Sequence, residues 1–254
     1  MLSKFDLQLV KNSSYTSLQR RLDDLRDYQL ASLIKKKYLP LFFEQIENSK
    51  SQLRQDLFVL SELDFKVGGY FVEFGATDGI RWSNSYLLEN SYNWRGILAE
   101  PAKLWHEALT SNRNAHIERN CVWSESGTKL LFNEVNDPKH LGELSTIDTF
   151  SNADQHRTTR SADNSKYEVS TISLNDMLNK YEAPRTIDYL SIDTEGSEYD
   201  ILSTFDFDKY EIKIITCEHN FTNMRERIYN LLTEKGYVRK YEDVSCFDDW
   251  YVKK

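Results

Sequence analysis

The chain has few of the residues that would point to a disulfide-stabilised or membrane-spanning protein. Among 254 residues there are three cysteines, four prolines and nine glycines. The cysteines stand far apart, at positions 121, 217 and 246, and form no Cys-x-x-Cys pair, so neither a disulfide framework nor a zinc site is indicated. No apolar run approaches the roughly 20 residues needed to cross a bilayer, and the first residues lack the apolar segment of a signal peptide. We therefore expect a cytoplasmic protein without a membrane span.

Positive charge is also scarce. Lys and Arg together number 32 against 40 Asp and Glu, which gives a net charge of −8. Because an acidic surface slows the approach to nucleic acid, a nucleic-acid substrate is disfavoured. Three catalytic signatures are missing as well: the Gly-x-Ser-x-Gly of serine hydrolases, the Gly-x-x-x-x-Gly-Lys-Ser/Thr loop of P-loop kinases and the Tyr-x-x-x-Lys pair of short-chain dehydrogenases.

The spacing of apolar residues predicts an α/β core preceded by helices. Residues 16–65 carry apolar side chains at helical intervals, and we expect residues 1–65 to form an N-terminal helical extension. From 66 to 254, short apolar runs alternate with amphipathic stretches, the pattern of parallel strands joined by helices. Segment 136–166 is rich in Ser, Thr, Asn and Asp with little apolar periodicity, which predicts a mobile loop or lid inside this domain.

Seven apolar runs are predicted to be the strands of the core. They are Tyr70–Phe74, Gly96–Glu100, His116–Cys121, Ile187–Asp193, Ile212–Glu218, Tyr237–Tyr241 and Phe247–Val252, with Lys129–Val135 as a further short strand. The helices expected between them are Asn84–Asn90, Ala102–Ser111, Leu174–Lys180, Ser197–Thr204 and Asn223–Lys235. In an open parallel sheet the ligand lies beyond the carboxyl ends of the strands. The polar residues that end these runs are therefore the candidates for a site.

The first strand and the turn after it predict the cofactor. Gly75 and Gly79 bracket a turn that carries Asp78, with Glu73 shortly before it. Glycines at these positions let the backbone bend and a ligand approach closely. A dinucleotide loop would have the spacing Gly-x-Gly-x-x-Gly and offer amides to a pyrophosphate, whereas carboxylates repel phosphate and favour a cation. The cofactor that fits is S-adenosylmethionine, which has an ammonium and a sulfonium group and no phosphate.

Two further strand ends extend this predicted pocket. Glu100 ends the second run about 20 positions after Asp78, near the distance at which such folds place an acid on the ribose hydroxyls. Asn120, Cys121 and Val122 end the third run and could contact adenine, although Cys121 and Val122 would serve equally well in the core.

The fourth and fifth runs end in acidic turns that predict a catalytic site. Asp193, Glu195 and Glu198 crowd the first of these turns, and Glu218 and His219 begin the second. Because neighbouring parallel strands end at the same edge of a sheet, both turns should face one cleft. His219 is the leading candidate for a general base, followed by Asp193 and Glu195. Alternatively, Asp193, Glu218 and His219 bind a divalent ion such as magnesium.

Taken together, these blocks resemble the FkbM family of S-adenosylmethionine-dependent methyltransferases. The family pattern is a strand and loop of the form V-E/D-x-G-A-x-D-G, then I-D-x-E-G-x-E and an E-H strand end, and the resemblance covers roughly residues 50 to 252. It implies a Rossmann-like, seven-stranded class I methyltransferase sheet. It also implies O-methylation of a hydroxyl on a sugar, glycan or natural product, so a hydroxyl-bearing acceptor is the expected partner.

The resemblance adds flanking residues to the expected site. Ser51–Asp56 is similar to the Ser-Gln-x-x-x-Asp segment that precedes the first strand in this family, and Asp193 would lie where the methyl group meets the acceptor. The expected cofactor-binding residues are then Gln52, Asp56, Glu73, Gly75, Ala76, Asp78, Gly79, Asn84, Glu100, Pro101, Asn120, Cys121, Val122 and Asp193.

Two other functions stay open at this point. An NAD(P)-dependent sugar-modifying enzyme would share the strand, the loop and Glu100, and a non-catalytic binding protein could keep a methyltransferase fold. The N-terminal helices could cap the cleft or mediate a homo-oligomer, because helical periodicity is consistent with both.

Overall fold

The structure, a computed structural model, describes residue 21 and residues 23–137 and 142–254. Its strands in chain order are β1 Tyr70–Phe74, β2 Arg95–Ala99, β3 His116–Glu118, β4 Cys121–Trp123, β5 Lys129–Val135, β6 Thr146–Ile147, β7 Asn164–Ser173, β8 Thr186–Ile192, β9 Glu211–Glu218, β10 Tyr237–Lys240 and β11 Asp248–Lys253. Its helices are α1 (23–33), α2 Leu39–Gln45, α3 Gln55–Glu62, α4 Tyr86–Tyr92, α5 His106–Asn112, α6 Arg157–Ala162, α7 Leu174–Lys180, α8 Glu198–Ser203, α9 Met224–Glu234 and α10 Glu242–Ser245.

The main sheet has seven strands in the order β10-β11-β9-β8-β1-β2-β3. Strands β3, β2, β1, β8 and β9 run parallel, and β11 is antiparallel to both of its neighbours. The chain builds outward from β1 to β3 on one side and from β8 on the other, so the strand order reverses between β1 and β8. The predicted seven-stranded α/β sheet is confirmed, and a crevice is expected at the carboxyl ends of β1 and β8.

Strand β1 and helix α7 have the predicted bounds, whereas the third predicted strand is divided. Residues His116–Glu118 pair with β2 in the main sheet, and Cys121–Trp123 pair with β7 in a second sheet. The polar residues between them cause the break, since the Glu118 carboxylate accepts a hydrogen bond from the Asn120 amide at 2.9 Å and so closes a local turn. Strand β5 also has the predicted bounds. The other predicted boundaries differ from the observed ones by one or two residues, except that the helix predicted from Ala102 begins at His106.

The second sheet has the order β4-β7-β5-β6 and contains the segment predicted as a loop. Strands β5 and β7 pair over seven residues, with Val135 opposite Asn164, so residues 136–163 are the connection of a long hairpin. Within the described part of this connection, strand β6 and helix α6 are formed. We name residues 142–163 the insertion. Residues 138–141 lie outside the described residues, and the mobility of the segment stays a prediction.

Apolar side chains cover both faces of the main sheet. On one face, residues of β8 and β9 pack against α7, α8 and α9, with Leu190 and Ile215 fully buried. On the other face, Leu30 of α1 and Phe42 of α2 join Phe58 of α3 in a second core. Residues 1–20 of the expected helical extension lie outside the described residues, and a chain division at residue 65 stays a prediction. Among the described helices none is long and apolar enough to span a membrane.

Candidate active site

A cavity of about 320 Å³ lies at the carboxyl ends of β1, β2, β8 and β9. Its volume falls in the range of small-molecule sites, and its position is the point at which the strand order reverses. Predicted site residues from widely separated parts of the chain meet there. Those that line the cavity are Gln52, Glu73, Gly75, Asn84, Glu100, Pro101, Cys121, Val122, Asp193, Glu195 and Glu218.

Gly75 lets the ends of β1 and β8 approach each other beneath the cavity. Its φ is +74°, in the left-handed region, and a Cβ atom built on it would lie 2.1 Å from the carbonyl oxygen of Asp193. A side chain of any size would force the two strand ends apart. The glycine therefore fixes the position of Asp193 relative to the loop that follows β1.

The backbone amides of this loop are already engaged within the protein. The N–H groups of residues 75 and 76 donate to the carbonyl of Ala99, and that of Thr77 donates to Oε2 of Glu100 at 2.8 Å. In the second half of the loop, Oδ1 of Asp78 accepts from the N–H groups of residues 80 and 81, both at 2.8 Å. Amides held in this way cannot also cradle a pyrophosphate, so the loop lacks the donors on which dinucleotide binding depends.

Glu100 presents a carboxylate to the cavity from the end of β2. Its Oε2 accepts from the Thr77 amide and its Oε1 from the Ala102 amide, both at 2.8 Å. The side chain is only 4% exposed, and this burial raises the pKa of Glu100 to about 7. Two backbone donors fix the orientation of the carboxylate, and each oxygen retains a lone pair that can accept a hydroxyl hydrogen.

Glu73 organises the segment after the loop. Its carboxylate accepts from the Asn84 amide at 2.7 Å, from Ser83 Oγ at 3.0 Å and from Ser85 Oγ. The Asn84 side chain is thereby held at the cavity, where its Nδ2 donates to Ser191 Oγ at 2.9 Å. Asn84 Oδ1 is buried and has no hydrogen-bond partner in the described part of the protein. Because an unsatisfied buried acceptor is costly, this oxygen is suited to bind an ammonium group or another donor of a ligand.

Three carboxylates meet at the ends of β8 and β9. Oxygen atoms of Asp193, Glu195 and Glu218 all lie within 4.8 Å of one another. Burial, reinforced by the neighbouring charges, raises the pKa of Asp193 to about 6 and raises those of Glu195 and Glu218 well above the usual value. Carboxylate oxygens at this separation are the donors that hard divalent cations prefer. Glu195 takes the place in this cluster that the sequence assigned to His219.

The turn after β8, which carries Asp193 and Glu195, is held from two sides. Glu198, at the start of α8, accepts from the Thr194 amide at 3.1 Å and the Gly196 amide at 2.9 Å. The turn is constrained enough to hold Glu195 at a φ of +59°, which is rare for a residue with a side chain. Such backbone strain is found most often where function requires a fixed side chain.

Arg160 of the insertion holds Glu195 from the other side. Its side chain is fully buried, and its Nη2 donates to Glu195 Oε2 at 2.6 Å. The same guanidinium makes a double hydrogen bond to Asp154 at 2.8 and 2.9 Å and donates to the carbonyl of Leu144 at 2.9 Å. The insertion is thus attached to the carboxylate cluster through a buried ion pair, and sequence reasoning gave no sign of this because Arg160 stands in a polar stretch.

His219 is not brought to the cavity. Its Nδ1 accepts from the Phe221 amide at 3.0 Å, and its buried Nε2 lies 3.8 Å from Asp249 Oδ1. Successive side chains of a strand point to opposite faces, so the orientation of Glu218 toward the cavity turns His219 away from it. Burial lowers the pKa of His219. His219 thus lies outside the cavity and outside the carboxylate cluster, with its ring toward Asp249 of β11, and its role as base or metal ligand stays a prediction that this geometry does not favour.

Asp56 also lies outside the cavity, although Gln52 of the same segment lines it. The Asp56 side chain is fully buried, and its Oδ1 accepts from Ser49 Oγ at 2.7 Å and from the Leu57 amide at 2.8 Å. It therefore fixes the start of α3, and burial raises its pKa to about 6. Four further expected cofactor residues do not line the cavity either: Ala76, Asp78, Gly79 and Asn120.

Several residues that were not among the predicted site residues complete the cavity wall. Trp82 follows the β1 loop, Asn220 follows β9, and Phe247 precedes β11. The remaining ones are Phe74, Thr77, Arg81, Ala99, Phe132, Gly142, Glu143, Leu144, Ser145, Ile147, Gln155, His156, Thr194 and Ser197. Seven of these lie between residues 142 and 156, where the polar composition gave no periodic signal.

Comparison with known proteins identifies the family. The chain matches the profile of the methyltransferase FkbM domain over residues 73–239, more than half of its length. Comparison with curated proteins gave no match. Among solved structures, a precorrin-6y methyltransferase from Geobacter metallireducens is 12% identical, with 73% of this chain and 71% of that chain covered and a TM-score of 0.39. A putative RNA methyltransferase from Pyrococcus horikoshii is 11% identical, with 78% of this chain and 81% of that chain covered and a TM-score of 0.36.

The assignment rests on the family profile. The matched segment begins at Glu73 and includes Glu100, Asp193 and Glu218, the carboxylates that surround the cavity. The chain belongs to the FkbM family of methyltransferases.

Proposed function

We propose that the protein transfers a methyl group from S-adenosylmethionine to a hydroxyl of a sugar, glycan or other polyhydroxylated natural product. The observation that carries this proposal is that one cavity has two chemically different ends. Glu100 lies at the end of β2, Asn84 reaches from the segment after β1 to Ser191 of β8, and the cluster of Asp193, Glu195 and Glu218 lies at the ends of β8 and β9. The first end suits the cofactor and the second suits the acceptor hydroxyl.

The residues at the first end fit S-adenosylmethionine. The fixed carboxylate of Glu100 can accept hydrogen bonds from the two ribose hydroxyls, and the unpaired Oδ1 of Asn84 can accept one from the ammonium group. The engaged amides after β1 disfavour a pyrophosphate, which argues against the NAD(P)-dependent alternative. When bound, the cofactor supplies an electrophilic methyl carbon on a sulfonium.

At the second end, a carboxylate can act as the proton acceptor. A bound cofactor would supply the methyl carbon and take up the electron pair of the carbon–sulfur bond, and Asp193 or Glu218 would accept the proton of the acceptor hydroxyl. A positioned base of this kind contributes about 10²–10⁴ in rate. Much of the remaining rate enhancement comes from the alignment of the two reactants in a confined cavity.

A divalent cation such as magnesium is the alternative way to activate the hydroxyl. The three carboxylate oxygens within 4.8 Å of one another fit such an ion, with Glu195 in the position first assigned to His219. One oxygen of Glu195 already accepts from Arg160 and from Asn220, so this residue would contribute its other oxygen. The ion would lower the pKa of the acceptor hydroxyl, and the carboxylates would hold the ion.

Calorimetric titration of the purified protein tests the cofactor. S-adenosylhomocysteine and NAD are titrated separately, each with magnesium chloride and with EDTA. We expect micromolar binding of S-adenosylhomocysteine and none of NAD. A difference in affinity between magnesium chloride and EDTA would support a divalent-cation site. Binding of NAD alone would overturn the proposal, and binding of neither would favour the non-catalytic alternative.

A further inference from the structure

The insertion forms a fixed wall over the acceptor end of the cavity. Thr146 Oγ1 donates to the carbonyl of Glu195 at 3.0 Å, and Arg160 donates to the Glu195 carboxylate at 2.6 Å. Phe150 packs so closely on Gly196 that a Cβ atom there would lie 2.9 Å from the Phe150 side chain. All three contacts are made to the turn after β8. The wall therefore covers the end at which the acceptor hydroxyl would react.

An aromatic ring lies at the edge of the same cavity. Trp82 is 45% exposed, an unusual exposure for tryptophan, and its backbone has a φ of +59°. A bridge between Ser51 and Trp82 holds that backbone in place. On the insertion, Gln155 and His156 line the cavity. A flat apolar ring together with amide and imidazole groups can contact both the C–H face and the hydroxyls of a polyol.

The charges at this end are unfavourable for an anion. Asp193, Glu195, Glu218 and Glu143 all line the cavity. Among the described residues, the arginine that lines it is Arg81, whose Nε lies 3.0 Å from Glu143 Oε1. Its guanidinium is thus already paired with Glu143 and also lies 5.6 Å from the centre of the Trp82 ring, and the carboxylates outnumber it. A phosphate or carboxylate placed here would lie beside several acidic groups and an already paired guanidinium, an arrangement that rejects anionic ligands.

We propose that this end of the cavity binds an uncharged polyhydroxylated acceptor between Trp82 and the insertion, and that it rejects acceptors with a phosphate or carboxylate near the reacting hydroxyl. The inference rests on the proposed function and names the chemical class of its acceptor. Trp82 supplies the contact surface. The Arg81 guanidinium, which an anionic acceptor would need as its partner, is already paired with Glu143.

The test uses the full chain labelled with 5-fluorotryptophan and saturated with S-adenosylhomocysteine. The signal of Trp82 is assigned from the Trp82→Phe variant, and the other four tryptophans serve as internal references. Methyl glucoside, glucuronate and glucose 6-phosphate are added as matched probes. We expect methyl glucoside to shift the Trp82 fluorine signal and the two anionic sugars to leave it unchanged. An equal or larger shift with an anionic sugar, or no shift with any sugar, would overturn the inference.

Two variants separate the roles of the ring and the ion pair. Trp82→Ala should weaken methyl glucoside binding about tenfold, measured by ligand-observed NMR, and Phe43→Ala, which removes an exposed ring that does not line the cavity, should not. Glu143→Gln releases Arg81 and should strengthen glucuronate binding by at least about threefold. An unchanged affinity for glucuronate in Glu143→Gln would contradict the charge argument. Failure of S-adenosylhomocysteine to bind would instead count against the proposed function, independently of the sugar results.

Discussion

Replacing Gly75 with alanine tests the close approach of β1 and β8 on which the site geometry depends. The φ of +74° costs an alanine about 1 kcal/mol. The added Cβ would also lie 2.1 Å from the Asp193 carbonyl oxygen, so the strand ends must separate by about 1 Å, an overpacking that costs about 1–3 kcal/mol more. We expect Gly75→Ala to lower the free energy of unfolding by about 2–4 kcal/mol.

Gly127→Ala is the matched control. Its φ of +79° is nearly the same, but among the described residues, apart from its two chain neighbours, no atom lies within 4 Å of a Cβ built there, so only the conformational cost of about 1 kcal/mol applies. Urea unfolding gives both values, and an unchanged m-value shows that the comparison is valid. Equal destabilisation by the two substitutions would refute the argument from close approach. Gly75→Ala should also weaken S-adenosylhomocysteine binding, because Asp193 and the loop after β1 move apart.

Three further predictions concern single buried groups. Glu100→Gln should weaken S-adenosylhomocysteine binding by about tenfold to a hundredfold in calorimetric titration, and wild-type affinity should fall below about pH 7 as Glu100 becomes protonated. Arg160→Gln leaves Glu195 without its cation and should cost about 3–5 kcal/mol in urea unfolding, whereas Arg157→Gln on the exposed side of the same helix should cost less than about 0.5 kcal/mol. Burial raises the pKa of Asp248 to about 7, so the folded protein keeps a proton that the unfolded chain loses, and the free energy of unfolding should fall as pH rises from about 4 to 7, by up to about 4 kcal/mol. Asp248→Asn should remove this part of the pH dependence; an unchanged slope would show that other groups produce it.

Features encoded by local pattern were predictable. The run Tyr70–Phe74 is buried at every position, and its bounds were predicted without error because a continuous apolar stretch before a glycine turn has few alternatives. Glu100 and Asp193 were placed at strand ends for the same reason, and both line the cavity. The position of a residue just beyond a buried parallel strand is a local property that also specifies its location in the sheet.

Features that depend on side-chain direction or on distant contacts were not predictable. Glu218 and His219 are adjacent in sequence, and only the orientation of β9 decides that the first faces the cavity and the second faces Asp249. Asp78 looked like a ligand-binding acid, but its Oδ1 is used to hold the loop itself. A sequence shows that a carboxylate stands in a turn, and it does not show whether the turn or a ligand receives its hydrogen bonds.

The sequence alone determined the α/β class, the strand ends at which carboxylates collect and the methyltransferase family, because each depends on short patterns that any copy of the fold must contain. Only the tertiary structure decided which carboxylates meet. Arg160 stands 35 positions before Glu195, and their ion pair forms because the β5–β7 hairpin folds the insertion back over β8. Contacts across such a separation depend on how the elements pack, and the local spacing of residues does not specify that packing.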